Sequence, residues 1–147
     1  MIAAVDTNIL LDILLPDDSF CRSSKKILDV YNEKGRLVVC EIVVAELAGH
    51  FPSSQDLRDF LEISRIFLLP TDRKALDLAG SAWRAYNDNP DRSACPHCGG
   101  TISKRQHIIP DFLIGAHALV QADVILTRDR GFYRAFFRDL RVESGMA

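Results

Sequence analysis

Apolar residues fall into short runs separated by longer amphipathic stretches, and this alternation predicts an α/β fold. IAAV (2–5) ends at Asp6 and reads as a buried strand, followed by a short helix over 7–15 with Thr7 or Asn8 placed to cap it. After the break at Pro16-Asp17-Asp18-Ser19, Phe20, Ile27, Leu28 and Tyr31 mark one face of a helix from Ser19 to about Asn32, ended by Gly35. RLVVC (36–40) is a second strand, IVVAELAGHF (42–51) a helix apolar on most sides, and residues 54–64 a further helix. RIFLLP (65–70) is a third strand closed by Pro70, and Thr71-Asp72 caps a helix running to about Tyr86. Pro110 suits the first turn of a helix over 110–121, DVILTR (123–128) is a fourth strand, and LRVES (140–144) adds a short edge strand. Strands alternating with helices imply a mostly parallel sheet covered on both faces.

A length of 147 residues sets the expectation of one domain over 1–147, with a turn-rich insertion at about 87–106. The net charge of −2 provides no global basic signature, so any surface for nucleic acid has to be local. The apolar run at the N-terminus lacks the basic flank and cleavage pattern of a signal peptide. Asp6 and Asp12 interrupt it, so the chain reads as cytoplasmic and without a membrane span. Four cysteines in such a compartment are thiols, and Cys21 and Cys40, among apolar neighbours, read as small core residues.

Most acidic residues lie in mixed polar stretches, where a solvated surface explains them. Four do not: Asp6 ends IAAV, Glu46 interrupts IVVAELA, Asp111 opens DFLIGAHALV, and Asp129 follows DVILTR. A carboxylate at the edge of a core is costly unless hydrogen-bonded, paired or bound to metal. Asp6 and Asp129 follow strands and Glu46 lies about two turns into a helix, so all three belong near the carboxyl rim of a parallel sheet. Asp111 opens the helix before the fourth strand, a position expected across the sheet unless the chain returns over the same rim. Each acid also has a plainer account: Asp6 and Asp111 as helix caps, Asp129 as a turn residue, Glu46 as a half-exposed helix residue. If they converge, they require a cation between them, and an all-oxygen set suits Mg²⁺ or Mn²⁺. Folds that phosphorylate the aspartate after the first strand fit less well, because position 8 is Asn and the fourth strand ends in Thr127-Arg128 rather than a lysine.

Four strings, each holding one of these acids, resemble the PIN-domain family of metal-dependent nucleases, in particular its VapC-type toxins. They are Val5-Asp-Thr-Asn8, Val44-Ala-Glu-Leu47, DFLIGAHAL (111–119) and LTRDRGF (126–132). Singly each string is weak; their order and spacing along the whole chain carry the resemblance. It implies a three-layer α/β/α sandwich whose acidic centre combines Asp6, Glu46, Asp111 and Asp129, with Asn8 and Thr127 supporting the acids by hydrogen bonding. The implied activity is Mg²⁺- or Mn²⁺-dependent RNA cleavage, and the implied partners are RNA, a neutralising antitoxin and, as is frequent in the family, a second copy of the chain. On this reading Asp6, Glu46 and Asp111 ligate metal directly or through water, and Asp129 completes the site or positions a second metal or the attacking water. Lys104, Arg105, Arg128 and Arg130 flank two of the acids and are either phosphate-holding groups or ordinary surface charge. His117, six residues after Asp111, faces elsewhere on its helix and reads as a packed or surface histidine. The alternative is a PIN-fold binding or scaffold domain without turnover, which a missing acid would favour.

The insertion carries Cys95-Pro-His-Cys98-Gly-Gly, which resembles half of a zinc ribbon. A closed Zn²⁺ site needs four ligands, so two must come from His97, His107, Cys21, Cys40 or a second subunit. Neither histidine spacing is a recognised zinc pattern. The plainer expectation is a metal-free turn, structural or vestigial, whose tight backbone Gly99 and Gly100 supply.

Overall fold

The computed structural model describes residues 1–15, 19–88, 94–95, 97–100 and 108–145. Five parallel strands, β1 (Ile2–Val5), β2 (Arg36–Val39), β3 (Ile66–Leu68), β4 (Val124–Leu126) and β5 (Val142–Glu143), form one sheet in the order β3-β2-β1-β4-β5. The helices are α1 (Thr7–Leu14), α2 (Cys21–Lys34), α3 (Glu41–Ala48), α4 (Ser54–Ile63), α5 (Arg73–Asp88), α6 (Ile109–Gln121) and α7 (Arg130–Phe136). The central strands are apolar on both faces: Ala3, Ala4, Val5, Leu37, Val38, Val39, Val124, Ile125 and Leu126 are all buried, as a sheet between two helical layers requires. Among the described residues no helix is long and apolar enough to cross a membrane.

Several boundaries differ from the sequence expectation, each for a local reason. Asp6, rather than Thr7 or Asn8, occupies the N-cap position of α1, and its side chain makes no capping bond because other donors engage it. The helix expected over 42–51 stops at Ala48, and Ser53 then caps α4 by accepting from the Asp56 amide. Helix α7 is an addition: the Asp129 carboxylate accepts from the Phe132 amide at 3.4 Å and starts a helix whose apolar face is Phe132, Tyr133 and Phe136. Cys40 is buried as expected, and burial pushes its thiol up to about 11; Cys21 is only half-buried.

An aromatic cluster joins α5, α6 and α7. The Phe112 ring lies 5.1 Å from Phe132, 5.3 Å from Tyr86 and 5.4 Å from both Trp83 and Phe136. Three of these pairs are edge-to-face and the one with Tyr86 is tilted; such pairs add to the area they bury, and Phe112 thereby fixes the first turn of α6, next to Asp111. One turn further along, α6 approaches Phe137 so closely that a Cβ on Gly115 would sit 2.2 Å from the ring. Gly115→Ala is therefore expected to destabilise the fold by about 1–3 kcal/mol through overpacking, despite the better helix propensity of alanine. A urea titration checks this; a variant as stable as wild type would mean that Phe137 repacks freely.

Candidate active site

The chain runs outward from β1 through β2 to β3, then crosses back to β4 and β5, so β1 and β4 are the neighbours between which the winding direction reverses. At such a switch point the loops leaving the two carboxyl ends part and open a crevice. Asp6 directly follows β1, and Thr127-Arg128-Asp129 directly follow β4.

Asp6 is buried, and three donors converge on its Oδ2: the Thr127 hydroxyl at 2.6 Å, Asn8 Nδ2 at 2.9 Å and the Tyr133 hydroxyl at 3.2 Å. Thr127 Oγ1 in turn accepts from Asn8 Nδ2 at 3.2 Å and from the Asp129 amide at 3.0 Å, which fixes its rotamer. Asn8 Oδ1 accepts from the Arg128 amide at 3.1 Å, so one short side chain ties the end of β1 to the end of β4. Desolvation outweighs these bonds: burial, with a smaller contribution from the Asp111 charge, pushes the Asp6 carboxyl up to about 6. Burial likewise raises the Tyr133 phenol well above its usual range, so Tyr133 stays a donor.

Asp6, Glu46 and Asp111 line one open cleft of about 330 Å³, together with Thr7, Asn8, Leu11, His50 and Ile114. Asp111, whose side of the sheet the strand pattern alone left open, stands at this rim. Helix α6 crosses back antiparallel to the strands before entering β4, so its first turn starts at the carboxyl rim. There Asp111 Oδ2 also accepts from the Ile108 amide at 3.0 Å, a capping bond made by the same residue that lines the cleft. Glu46 is exposed on α3, and the Thr7 hydroxyl donates to its Oε2. Asp129 does not line the cleft; it caps α7, and its charge is felt at Tyr133.

The structure divides the basic residues. Arg130 is exposed at the start of α7. Arg128 is turned inward: its guanidinium pairs with buried Asp12 at 2.9 Å and stacks over the Phe20 ring at 4.3 Å. Lys104, Arg105 and His107 lie outside the described residues. His117 is buried, with Nε2 2.8 Å from the Leu69 carbonyl and its pKa lowered by desolvation, which makes it a packed neutral histidine. Sequence reasoning missed Thr7, His50, Tyr133 and Asp12. Thr7 had a signal, its place beside Asp6 in Val5-Asp-Thr-Asn8; the other three had none local to them, since they reach their partners through the fold.

Three carboxylates in one cleft form a hard, all-oxygen donor set, the type that Mg²⁺ or Mn²⁺ takes. Among the described residues no three His, Cys, Asp or Glu side chains stand close enough to share an ion directly. Mg²⁺ keeps several waters and needs only one or two direct carboxylates, so the set fits an ion held partly through water.

Such a cleft at the switch point of an all-parallel sheet defines an α/β domain with acids from the end of β1 and from α3 and α6 facing one crevice. The PIN domain model matches residues 3–137, and the chain belongs to the PIN domain family, whose members are generally nucleases that use Mg²⁺ or Mn²⁺ at an acidic site. Similar solved structures include VapBC-1 from nontypeable Haemophilus influenzae, with a TM-score of 0.67, 21% identity and 100% of each chain covered. VapBC2 from Rickettsia felis, bound to a DNA fragment from its promoter, gives 0.65, 21% and 98% of each chain. A toxin–antitoxin complex from Klebsiella pneumoniae gives 0.64, 19% and 97% of each chain. At these identities the likeness establishes the fold, including the three-layer α/β/α sandwich. No curated protein matches the chain in sequence.

Proposed function

We propose that the chain is a metal-dependent endoribonuclease, the toxin of a toxin–antitoxin pair, acting at the cleft between β1 and β4. The observation that carries this reading is the meeting of Asp6, Glu46 and Asp111 in one open cleft. The similar structures, which are toxin–antitoxin complexes, support a protein antitoxin that covers the cleft, and dimerisation belongs to the same reading.

Asp6, Glu46 and Asp111 would hold Mg²⁺ or Mn²⁺ directly or through water. An ion held there would lower the pKa of a bound water and offset the charge that develops on the phosphate oxygens. Thr127, Asn8 and Tyr133 fix the orientation of Asp6, and Thr7 fixes that of Glu46. Asp129 positions Thr127 through its amide, and its carboxylate, which caps α7, would complete the site or position a second ion or the attacking water. Arg130, with Lys104 and Arg105 on the sequence reading, would hold RNA phosphates.

The test is sequencing of RNA fragments after controlled expression, compared with Asp111→Asn. A discrete set of new 5′ ends is expected from wild type and none from the variant, with purified protein requiring Mn²⁺ or Mg²⁺. Identical profiles from the two proteins would refute the mechanism. Full binding of RNA with no cleavage by either would favour a binding domain without turnover.

A further inference from the structure

The Cys95–Cys98 turn lies outside the acidic cleft and is unused by the reaction above. The Cys95 amide donates to the Gly100 carbonyl at 2.8 Å, and the Gly99 amide donates to the Cys95 carbonyl at 2.9 Å, which closes the loop tightly. Gly99 has φ +71°, the left-handed conformation that glycine adopts without strain. A Cβ on Gly100 would lie 3.3 Å from Cys98 Sγ, so glycine there keeps the sulfur uncrowded. Burial raises the Cys95 thiol, but the Cys98 and His97 amides and the Cys98 side chain beside it bring it below its ordinary value. Amides near a sulfur stabilise a thiolate, and two cysteines three apart in so tightly closed a turn can both reach one ion. Both are free thiols, Cys98 exposed and Cys95 half-buried.

We propose that Cys95 and Cys98 provide two of the four ligands of a tetrahedral Zn²⁺ site separate from the acidic cleft. The other two cysteines do not complete it: Cys40 is a core residue, and among the described residues no third ligand stands close enough to the pair. The second pair of ligands therefore comes from the rest of this chain or from the same turn of a second copy. The soft thiolates select Zn²⁺ here, while the all-oxygen cleft takes Mg²⁺ or Mn²⁺, so one chain keeps two metals apart by donor type. On binding, each thiol gives up its proton to buffer and its sulfur forms a metal–sulfur bond, so each turn releases two protons per ion held.

The experiment is elemental analysis of full-length protein purified under reducing conditions, followed by Zn²⁺ titration with a chromophoric chelator as competitor. Co²⁺ serves as a spectroscopic substitute. Wild type is expected to hold zinc and to show thiolate-to-Co²⁺ charge-transfer bands. The Cys95→Ser/Cys98→Ser variant is expected to lose those bands and at least about a hundredfold in affinity. Circular dichroism and retained Mn²⁺-dependent thermal stabilisation would show that the variant is folded. One ion per chain in a monomer assigns the remaining ligands to the same chain; one ion per two chains, with zinc-dependent dimerisation, assigns them to a second copy. Reduced wild type that holds no zinc, or a serine variant that holds as much as wild type, overturns the proposal. These readouts are independent of RNA cleavage, so the site and the nuclease activity stand or fall separately.

Discussion

Asp6→Asn is expected to remove RNA cleavage while making the metal-free protein more stable at neutral pH. The loss should be at least about a thousandfold, because a carboxylate holding the catalytic ion contributes several kcal/mol and each 1.4 kcal/mol is a decade in rate. The gain in stability comes from the burial of the same carboxyl, which raises it from 3.8 to about 6. A raised carboxyl means that the folded state binds the proton more tightly than the unfolded state. Its stabilising contribution is fully present below pH 3.8 and is lost as pH rises through about 6. A shift of roughly two units corresponds to about 3 kcal/mol at pH 7.5, and weaker hydrogen bonds to the asparagine oxygen return about 1 kcal/mol of it. Chemical denaturation of both proteins in chelator, from about pH 3 to pH 8, should show curves that nearly coincide below pH 3.8, diverge between there and about 6, and keep a constant separation above it, the variant being the more stable. Mn²⁺ takes the place of the proton, so it should raise the melting temperature of wild type more at pH 7.5 than at pH 5 and leave the variant unchanged. Parallel pH profiles for the two proteins, or equal Mn²⁺ stabilisation, would mean that Asp6 is neither the strained group nor a metal ligand.

The legible part of this site was the part whose signal is local. Asp6 could be placed because it directly follows an apolar run, and a strand leaves its next residue on the carboxyl rim; Asp129, read the same way, caps α7 instead of lining the cleft. Asp111 was harder, because its location depends on which way the preceding crossover runs, and only the order β3-β2-β1-β4-β5 fixes that. Its plainer reading as a cap was also correct, since one carboxylate caps α6 and lines the cleft; the two readings never excluded each other. Tyr133 was invisible because an apolar helix face explains a tyrosine fully until its hydroxyl is found against Asp6. Helix α7 was missed for a related reason: RGFYRAF is short, and its aromatics are explained only by Phe112 and Tyr86, which lie elsewhere in sequence.

Arg128 is where sequence and structure part most. It stands between Thr127 and Asp129, which made it a candidate for RNA phosphate, yet its guanidinium is committed to the interior. Asp12 Oδ1 accepts from it at 2.9 Å, Asp12 Oδ2 accepts from the Ser24 hydroxyl at 2.6 Å, and the Asp12 side chain is only 5% exposed. The pair thus pins α1 and α2 to the loop that carries Thr127. Removing one member of such a pair leaves the other charge stranded, at a cost of about 3–5 kcal/mol when both are buried. Arg128 keeps 33% of its side chain exposed and can partly rehydrate, so Asp12→Ala should cost about 3 kcal/mol, the low end of that range. Arg128→Met should cost at least as much, because it strands the Asp12 carboxylate, only 5% exposed, with the Ser24 hydroxyl as its remaining partner. The double variant should be less than additive, with a coupling of about 1 kcal/mol or more. Urea titrations of the four proteins measure that coupling directly. A guanidinium that held RNA would behave differently: Arg128→Met would weaken RNA binding, lower the salt slope by about one, and combine additively with Asp12→Ala. Because the Arg128 amide also holds Asn8 against Asp6, the ion pair acts on the reaction only through that backbone, and cleavage per folded molecule should fall far less in Asp12→Ala than in Asp6→Asn.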